Sequence, residues 1–189
     1  MKHPLLAAAI FAGVAHLLSA APHITIGDLK LVRVATPGPT AVKLRQYLPE
    51  GEVLERWNRM ASVRVFKNEK DPLGYLEVVA AAVRKSDPTA HAEFFRQKKT
   101  SEMLLDFIIF SPPNSPAPFA EWNMMRAKLV PGLGLVVYQY AMRLYEVTES
   151  SIRSIGPERR KMMTPFIQAT FEEKTETGQP VAPDDGDGP

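Results

Sequence analysis

The chain has 189 residues, of which 45% are hydrophobic, and this is enough for one globular domain with a sizeable core. Its 23 basic residues nearly balance its 21 acidic ones and form no long run, so nucleic acid is not expected as a partner. The absence of cysteine excludes disulfides, thiol catalysis and thiolate metal sites.

The first residues have the pattern of a bacterial signal peptide. A weakly basic start and an apolar run over residues 5–18 precede the small residues Ser19, Ala20 and Ala21. The run is short for a transmembrane helix, and cleavage after Ala20 or after Ala21 both remain open. We expect residues 1–21 to direct export to the periplasm or the medium. The alternative is an uncleaved N-terminal anchor, the one case in which we expect contact with a membrane.

The first half of the mature chain is predicted to hold three strands. Alternation predicts strands over residues 24–34 and 41–48, separated by a Pro/Gly turn, and a third strand from Met60 to Phe66. Residues 47–60 are predicted to contain a short amphipathic helical turn that carries Trp57. The indole is either a platform for a ligand or a lid that seals one end of the sheet, and the lid is favoured because indoles mostly bury their area in cores.

The second half is predicted to begin with a helix, since Asp71 and Pro72 form a strong helix start, and this helix ends at Asp87. Thr148 is expected to cap a short helical turn before a closing helix that Pro165 should kink or split. Four further strands are predicted over residues 90–97, 103–110, 119–129 and 135–145, and the closing helix over 157–171.

These elements predict a single α+β domain over residues 22–172. Successive strands joined by short turns favour a mainly antiparallel sheet of six or seven strands, with the helices packed against it. Residues 173–189 are rich in Thr, Gly, Pro and Asp and contain little to bury, so we expect a disordered acidic tail.

Several short motifs resemble a group of small exported bacterial proteins. They are PEGExxxxWxxM from Pro49, LDF around Asp106, EWN with a following Arg126, and GLVVYQYA from Gly134. The element order is similar to the PsbP-like α/β/α sandwich, over about residues 24–171. The resemblance implies this fold and export, and it brings no activity.

Five residues are candidates for a binding site. The polar residue Asp106 interrupts the apolar strand 103–110, so its carboxylate must find hydrogen bonds or a cation, and Arg126 is the expected partner. A catalytic alternative pairs Asp106 with Glu121 for acid/base chemistry. The full set of candidates is Trp57, Asp106, Glu121, Asn123 and Arg126.

Motifs of nucleophilic, metal-dependent and nucleotide-dependent enzymes are absent from the sequence. After removal of residues 1–21, only His23 and His91 remain as histidines, so neither a metal site nor a cofactor is expected. We therefore predict an exported, non-catalytic domain that binds an unknown protein or envelope component through a helix-free side of its sheet. A carboxylate-dependent hydrolase is the alternative.

Overall fold

The computed structural model describes residues 21–34, 43–88, 90–96, 102–112 and 114–171. Residues 1–20, which contain nearly all of the predicted signal peptide, lie outside the described residues. So do the predicted turn at 36–39, the polar turn at 98–101 and the predicted tail from residue 173.

The described residues form eight strands and two helices. The strands are β1 His23–Ile26, β2 Leu29–Val34, β3 Lys43–Leu48, β4 Arg59–Phe66, β5 Ala92–Arg96, β6 Met103–Phe110, β7 Ala120–Val130 and β8 Gly134–Leu144. The helices are α1 Pro72–Ser86 and α2 Glu149–Gln168.

All eight strands belong to one sheet, in the order β1-β2-β3-β4-β8-β7-β6-β5, and every neighbouring pair is antiparallel. The protein is therefore α+β with an antiparallel sheet, as the sequence predicts. The longest pairing joins β7 to β8 over the full length of both strands, and β8 pairs with β4 on its other side. This β4-β8-β7 unit is the centre of the sheet.

The count of six or seven strands was too low, because residues 24–34 form a hairpin and not one strand. Ile26 pairs with Leu29, and between them Gly27 has φ +59. Glycine with positive φ at the first of two turn residues is what a type II′ hairpin turn needs. The buried residues also change parity across the turn, from Ile24 and Ile26 to Leu31.

A helix packs on each face of the sheet, so the prediction of a helix-free side is wrong. We call the two sides the α1 face and the α2 face. On the α1 face, Leu76, Ala80 and Val83 of the helix pack on a cluster that includes Leu105, Phe107, Met125, Ala127, Leu135 and Val137. On the α2 face, Ile155, Met162 and Phe166 of the helix pack on Trp122, Met124, Tyr138, Tyr140 and Met142.

The predicted first helix is confirmed, and its start has the expected chemistry. The Asp71 carboxylate accepts a hydrogen bond from the Gly74 N–H at 3.0 Å, which satisfies one of the free donors of the first turn. Pro72 occupies the first helical position, where no donor is needed. Arg84 and Lys85 lie in the last turn, where positive charge suits the helix dipole.

The closing helix begins eight residues earlier than predicted, at Glu149 and not at Pro157. Thr148 and Ser151 form a reciprocal capping box, which starts α2 at that point. The helix continues through Pro157 and past Pro165, and it is not split into two elements. Its apolar stripe lies on both sides of Pro157, so burial against the sheet outweighs the lost hydrogen bond.

The helical turn predicted around Trp57 is absent, and a tight turn between Val53 and Arg56 takes its place. The Glu52 carboxylate explains this, since it accepts from the backbone N–H of Asn58 at 2.7 Å and so returns the chain into β4. Val53 is 54% exposed and does not face the core, contrary to the amphipathic reading of this segment.

The packing of the central hairpin can be tested by substitutions at two glycines in the β7–β8 turn region. Gly132 and Gly134 have φ +80 and +90. A Cβ on Gly134 would lie 2.5 Å from the carbonyl oxygen of Phe66, whereas a Cβ on Gly132 would have no neighbour within 4 Å. Gly132→Ala should cost about 1–2 kcal/mol from the left-handed backbone alone. Gly134→Ala should cost about 1–3 kcal/mol more through the clash. Urea denaturation measures both, and equal losses would contradict the close approach to β4.

Candidate functional site

The five predicted site residues do not form one site, because the sheet separates them. Glu121 and Asn123 lie on the α1 face, and Trp57 packs beside them, whereas Asp106 and Arg126 lie on the α2 face. Side chains of successive strand residues point to opposite faces. The carboxylates of Asp106 and Glu121 are therefore separated by the sheet, and the acid/base pair considered from the sequence is not assembled.

A row of hydrogen-bonded side chains crosses β4, β8 and β7 on the α1 face, and we call it the polar chain. Arg64 Nη1 donates to Gln139 Oε1 at 2.6 Å, and Gln139 Nε2 donates to Asn123 Oδ1 at 2.6 Å. Asn123 Nδ2 donates to Glu121 Oε1 at 3.1 Å, and Arg143 Nε donates to Glu121 Oε2 at 2.8 Å. The polar chain thus consists of Arg64, Gln139, Asn123, Glu121 and Arg143.

The buried members of the polar chain find their partners within it. Glu121 and Asn123 are only 6% and 1% exposed, so polar groups there must be satisfied from inside the protein. Both carboxylate oxygens of Glu121 have a partner within the polar chain. At the other end of the polar chain, burial lowers the pKa of the Arg64 guanidinium. The network therefore links β4, β8 and β7 through hydrogen bonds between side chains.

Trp57 is part of the packing at the end of the polar chain. The indole is 4% exposed and belongs to a small cluster with Leu48, Met60 and Ala141. The Arg143 guanidinium carbon lies 4.3 Å from its ring centroid, in cation–π contact. These contacts leave almost none of the indole open, so they favour the lid over the ligand platform.

Asp106 pairs with Arg159 of α2, and the predicted pair with Arg126 is wrong. Its Oδ2 accepts from Arg159 Nε at 2.7 Å, and its Oδ1 accepts from Trp122 Nε1 at 3.1 Å. The register places Met124, and not Arg126, directly opposite Asp106. The helix lying over the strands supplies a closer cation than the neighbouring strand does.

Arg126 instead holds the C-terminal end of α2. Its Nη2 donates to the carbonyl of Ala169 at 2.6 Å, and its Nη1 donates to the carbonyl of Ile167. Arginine suits this place because the last carbonyls of a helix have no intrahelical partner. Glu102 forms an ion pair with Arg126 at 3.6 Å, and the ring of Tyr138 lies 4.8 Å from its guanidinium carbon. Burial lowers the pKa of Arg126.

Arg159 also binds a second carboxylate, which lies on the edge strand β5. Its Nη2 donates to Glu93 Oε2 at 2.7 Å, and His91 Nε2 lies 2.7 Å from Glu93 Oε1. Burial opposes the charged form of Arg159, but the hydrogen bonds to Asp106 and Glu93 outweigh it and raise its pKa. The hydrogen bonds from His91 and Arg159 lower the pKa of Glu93. Arg159 therefore links α2 to both β5 and β6.

An open cleft of about 450 Å³ lies beside this ion pair, between α2 and β5, and we call it the α2 cleft. Glu93, Arg159 and Arg160 are charged groups on its rim. Its full lining is Glu93, Phe95, Gly156, Arg159, Arg160, Met163 and Thr164.

A smaller and more apolar cavity of about 100 Å³ adjoins the α2 cleft, and we call it the inner cavity. Phe95 and Met163 line both spaces. Beyond them the wall is mostly aliphatic, from Leu104, Met124 and Ile167, with Asp106 as its single charged residue. The two spaces share these two lining residues, and the α2 cleft is the more polar of the pair.

Other kinds of site are not formed within the described ranges. No three His, Cys, Asp or Glu side chains come together there as a metal ion would require. His91 is exposed and bound to Glu93, and His23 lies at the start of the edge strand β1. Neither of the two described helices has the length and apolar character to cross a membrane.

Sequence reasoning missed the residues that complete both groups. Gln139 and Arg143 are polar residues spaced four apart in an apolar strand, and this spacing was a usable signal that they share a face. Glu93 and Arg159 gave no comparable signal. Arg159 lies in a helix far along the chain from Asp106, among other basic residues.

A protein-family model matches residues 28–171, from the β1–β2 turn to Phe171, which follows α2. No curated protein and no solved structure matches the chain. Both the polar chain and the α2 cleft lie wholly inside the matched range.

A double-mutant comparison tests the link between Asp106 and Arg159. Arg159→Met leaves a carboxylate that is 8% exposed without its cation, so it should cost about 2–4 kcal/mol of unfolding free energy. Adding Asp106→Asn removes the charge but keeps an acceptor for Trp122, so the double variant should be the more stable of the two. Urea denaturation measures all variants.

The neighbouring Arg160→Met variant is the matched control and should change stability by less than about 0.5 kcal/mol, because Arg160 is exposed. Strictly additive effects of Asp106→Asn and Arg159→Met would contradict the ion pair.

Proposed function

This chain belongs to the protein family whose model matches residues 28–171. We propose that it is an exported, non-catalytic binding domain. Its binding site is the α2 cleft together with the inner cavity. The observation that carries the proposal is the contrast between these two spaces, a charged rim on one and an apolar wall on the other. The ligand is an envelope component or a partner that inserts an apolar group.

The size and lining of the two spaces support binding. Together they fall within the roughly 300–1,000 Å³ of small-molecule pockets, which are mostly apolar with a few polar groups that orient the ligand. Met124 and Met163 contribute flexible and polarisable side chains to the wall, and such side chains adapt to irregular apolar ligands. Phe95 is 40% exposed at the junction, where a bound apolar group would cover it.

The state of the carboxylates supports a non-catalytic role. A general base needs an oxygen that can reach the proton it removes. Both oxygens of Asp106 are occupied, by Arg159 and Trp122, and both oxygens of Glu121 are occupied by the polar chain. Each group is thus used to connect elements of the fold.

A carboxylate-dependent hydrolase remains the second candidate, and one observation favours it. Glu93 and Asp106 are directly opposite each other in the β5–β6 register, and Glu93 lines the α2 cleft with His91 beside it. The hydrogen bonds from His91 and Arg159, however, lower the pKa of Glu93 and so weaken it as a base. Binding without chemistry is therefore the better account of this arrangement.

We also propose that the protein is exported and that its fold is related to the PsbP-like sandwich. The signal-peptide pattern of residues 1–21 supports export, and an uncleaved N-terminal segment would leave the same domain tethered to the membrane. An antiparallel sheet with one helix on each face agrees with the layers of a PsbP-like sandwich, which supports that relationship.

Export is tested by the mass of the protein. Expressed with its N-terminus unaltered in a Gram-negative bacterium, the chain should appear in the periplasm or medium as a species that begins near Ala21 or Pro22. Intact mass spectrometry of each fraction measures this. A soluble cytoplasmic protein that still begins at Met1 would contradict export, and a full-length species in the membrane fraction would favour the tether.

Binding in the cleft is tested with the neutral apolar dye N-phenyl-1-naphthylamine, whose fluorescence rises in apolar surroundings. The mature protein should bind it saturably. Met163→Trp, which fills the junction of the two spaces, should weaken binding about tenfold or more, a loss of about 1.4 kcal/mol.

Val78→Trp adds the same side chain at a position on α1 that is 70% exposed, and it should leave binding unchanged. Thermal unfolding of each variant checks that the fold is intact. The absence of saturable binding to the folded protein, or an equal loss in the two tryptophan variants, would reject the α2 cleft as the binding site.

A further inference from the structure

The carboxylate on the rim of the α2 cleft, Glu93, already has a partner on each oxygen. His91 and Arg159 bind Glu93 Oε1 and Oε2, and the Asp106 carboxylate, which lines the inner cavity, is bound by Trp122 and Arg159. A cationic ligand would therefore compete with Arg159 for both carboxylates.

The donors on the same rim are not all in use. Arg159 donates through Nε to Asp106 and through Nη2 to Glu93. Among the described residues no group accepts from its Nη1. Its side chain is 34% exposed, toward the α2 cleft. Arg160 is exposed on the same rim, and nothing in the described part of the chain accepts from its guanidinium. The free donors of these two arginines on the rim are therefore positively charged.

The guanidinium of Arg160 lies along a bare part of the cleft wall. Gly156 lies one helical turn before Arg160 and lines the cleft without a side chain. A Cβ at Gly156 would stand 3.7 Å from Arg160 Nη1, so the guanidinium lies close to this bare part of the helix. Guanidinium groups bind carboxylate and phosphate through paired N–H donors, which gives both strength and orientation.

The apolar inner cavity adjoins the α2 cleft. Phe95 and Met163 line both spaces, and Leu104 and Ile167 also line the inner cavity. A ligand that fills both spaces needs an anionic group at the arginines and an apolar chain that passes Met163.

We propose that the ligand of the α2 cleft is a single-chain amphiphile with an anionic head group. The head lies between Arg159 and Arg160, and the first part of the acyl chain enters the inner cavity. This inference rests on the proposed function, since it names the ligand class for the same site. A fatty acid and an acyl phosphate ester or lysophospholipid share this chemistry.

Competition against bound N-phenyl-1-naphthylamine tests the head group. Four competitors with the same twelve-carbon chain are used below their micelle concentrations: dodecanoate, dodecyl phosphate, dodecanol and dodecyltrimethylammonium. At least one of the two anions should displace the dye at concentrations about tenfold lower than the alcohol and the cation do. The ranking of the two anions identifies the carboxylate or the phosphate as the natural head.

Arg160→Gln should weaken the preferred anion about tenfold and leave dodecanol unchanged. Lys161→Gln is the matched control, because it removes the same charge from the next residue, which lines a different cleft beside Arg59 and Glu158. It should have no effect on any competitor.

The outcomes separate the two proposals. If the dye binds and is displaced equally well by the alcohol or the cation, the inference of an anionic ligand is wrong and the binding site stands. An equal effect of Arg160→Gln and Lys161→Gln would also overturn the inference, because it would show only general attraction. If the dye does not bind saturably to the folded protein, the proposed function itself fails.

Discussion

Strands β6, β7 and β8 are buried on both faces, and this constraint determines where the polar side chains of the protein must go. A buried polar group in such a strand requires a partner inside the fold. On the α1 face the polar residues bond to one another across three strands, from Arg64 to Arg143. On the α2 face Asp106 and Arg126 bond to the helix above them.

The bonds from Asp106 and Arg126 to α2 lie beside the α2 cleft and the inner cavity. Arg126 holds the C-terminal carbonyls of α2, and Arg159 ties the middle of the helix to β5 and β6. Between these two attachments, Met163 and Ile167 border the inner cavity that remains between helix and sheet. The same ion pair thus satisfies a buried carboxylate and leaves Nη1 of its arginine exposed toward the α2 cleft.

Much of the fold follows from signals that lie close together in the sequence. Asp71 and Pro72 start α1 by chemistry within one helical turn, and the strand from Met103 reads as apolar on both faces because it is covered on both. The predicted elements differ from the structure where a competing local signal is stronger. The parity change around Gly27 marked a hairpin, and the capping box at Thr148 was a stronger helix start than Pro157.

The candidate site was less predictable because it depends on which face a residue occupies and on what crosses that face. Asp106 was correctly expected to need a partner, since its strand is too apolar to leave a carboxylate alone. The sequence predicts this partner in the next strand. There the antiparallel register places Met124 opposite Asp106. No pattern within strand or helix indicates that α2 crosses the sheet so that Arg159 meets Asp106. A charged residue in a two-sided strand therefore predicts that a partner exists, whereas the identity of that partner depends on the packing of the whole domain.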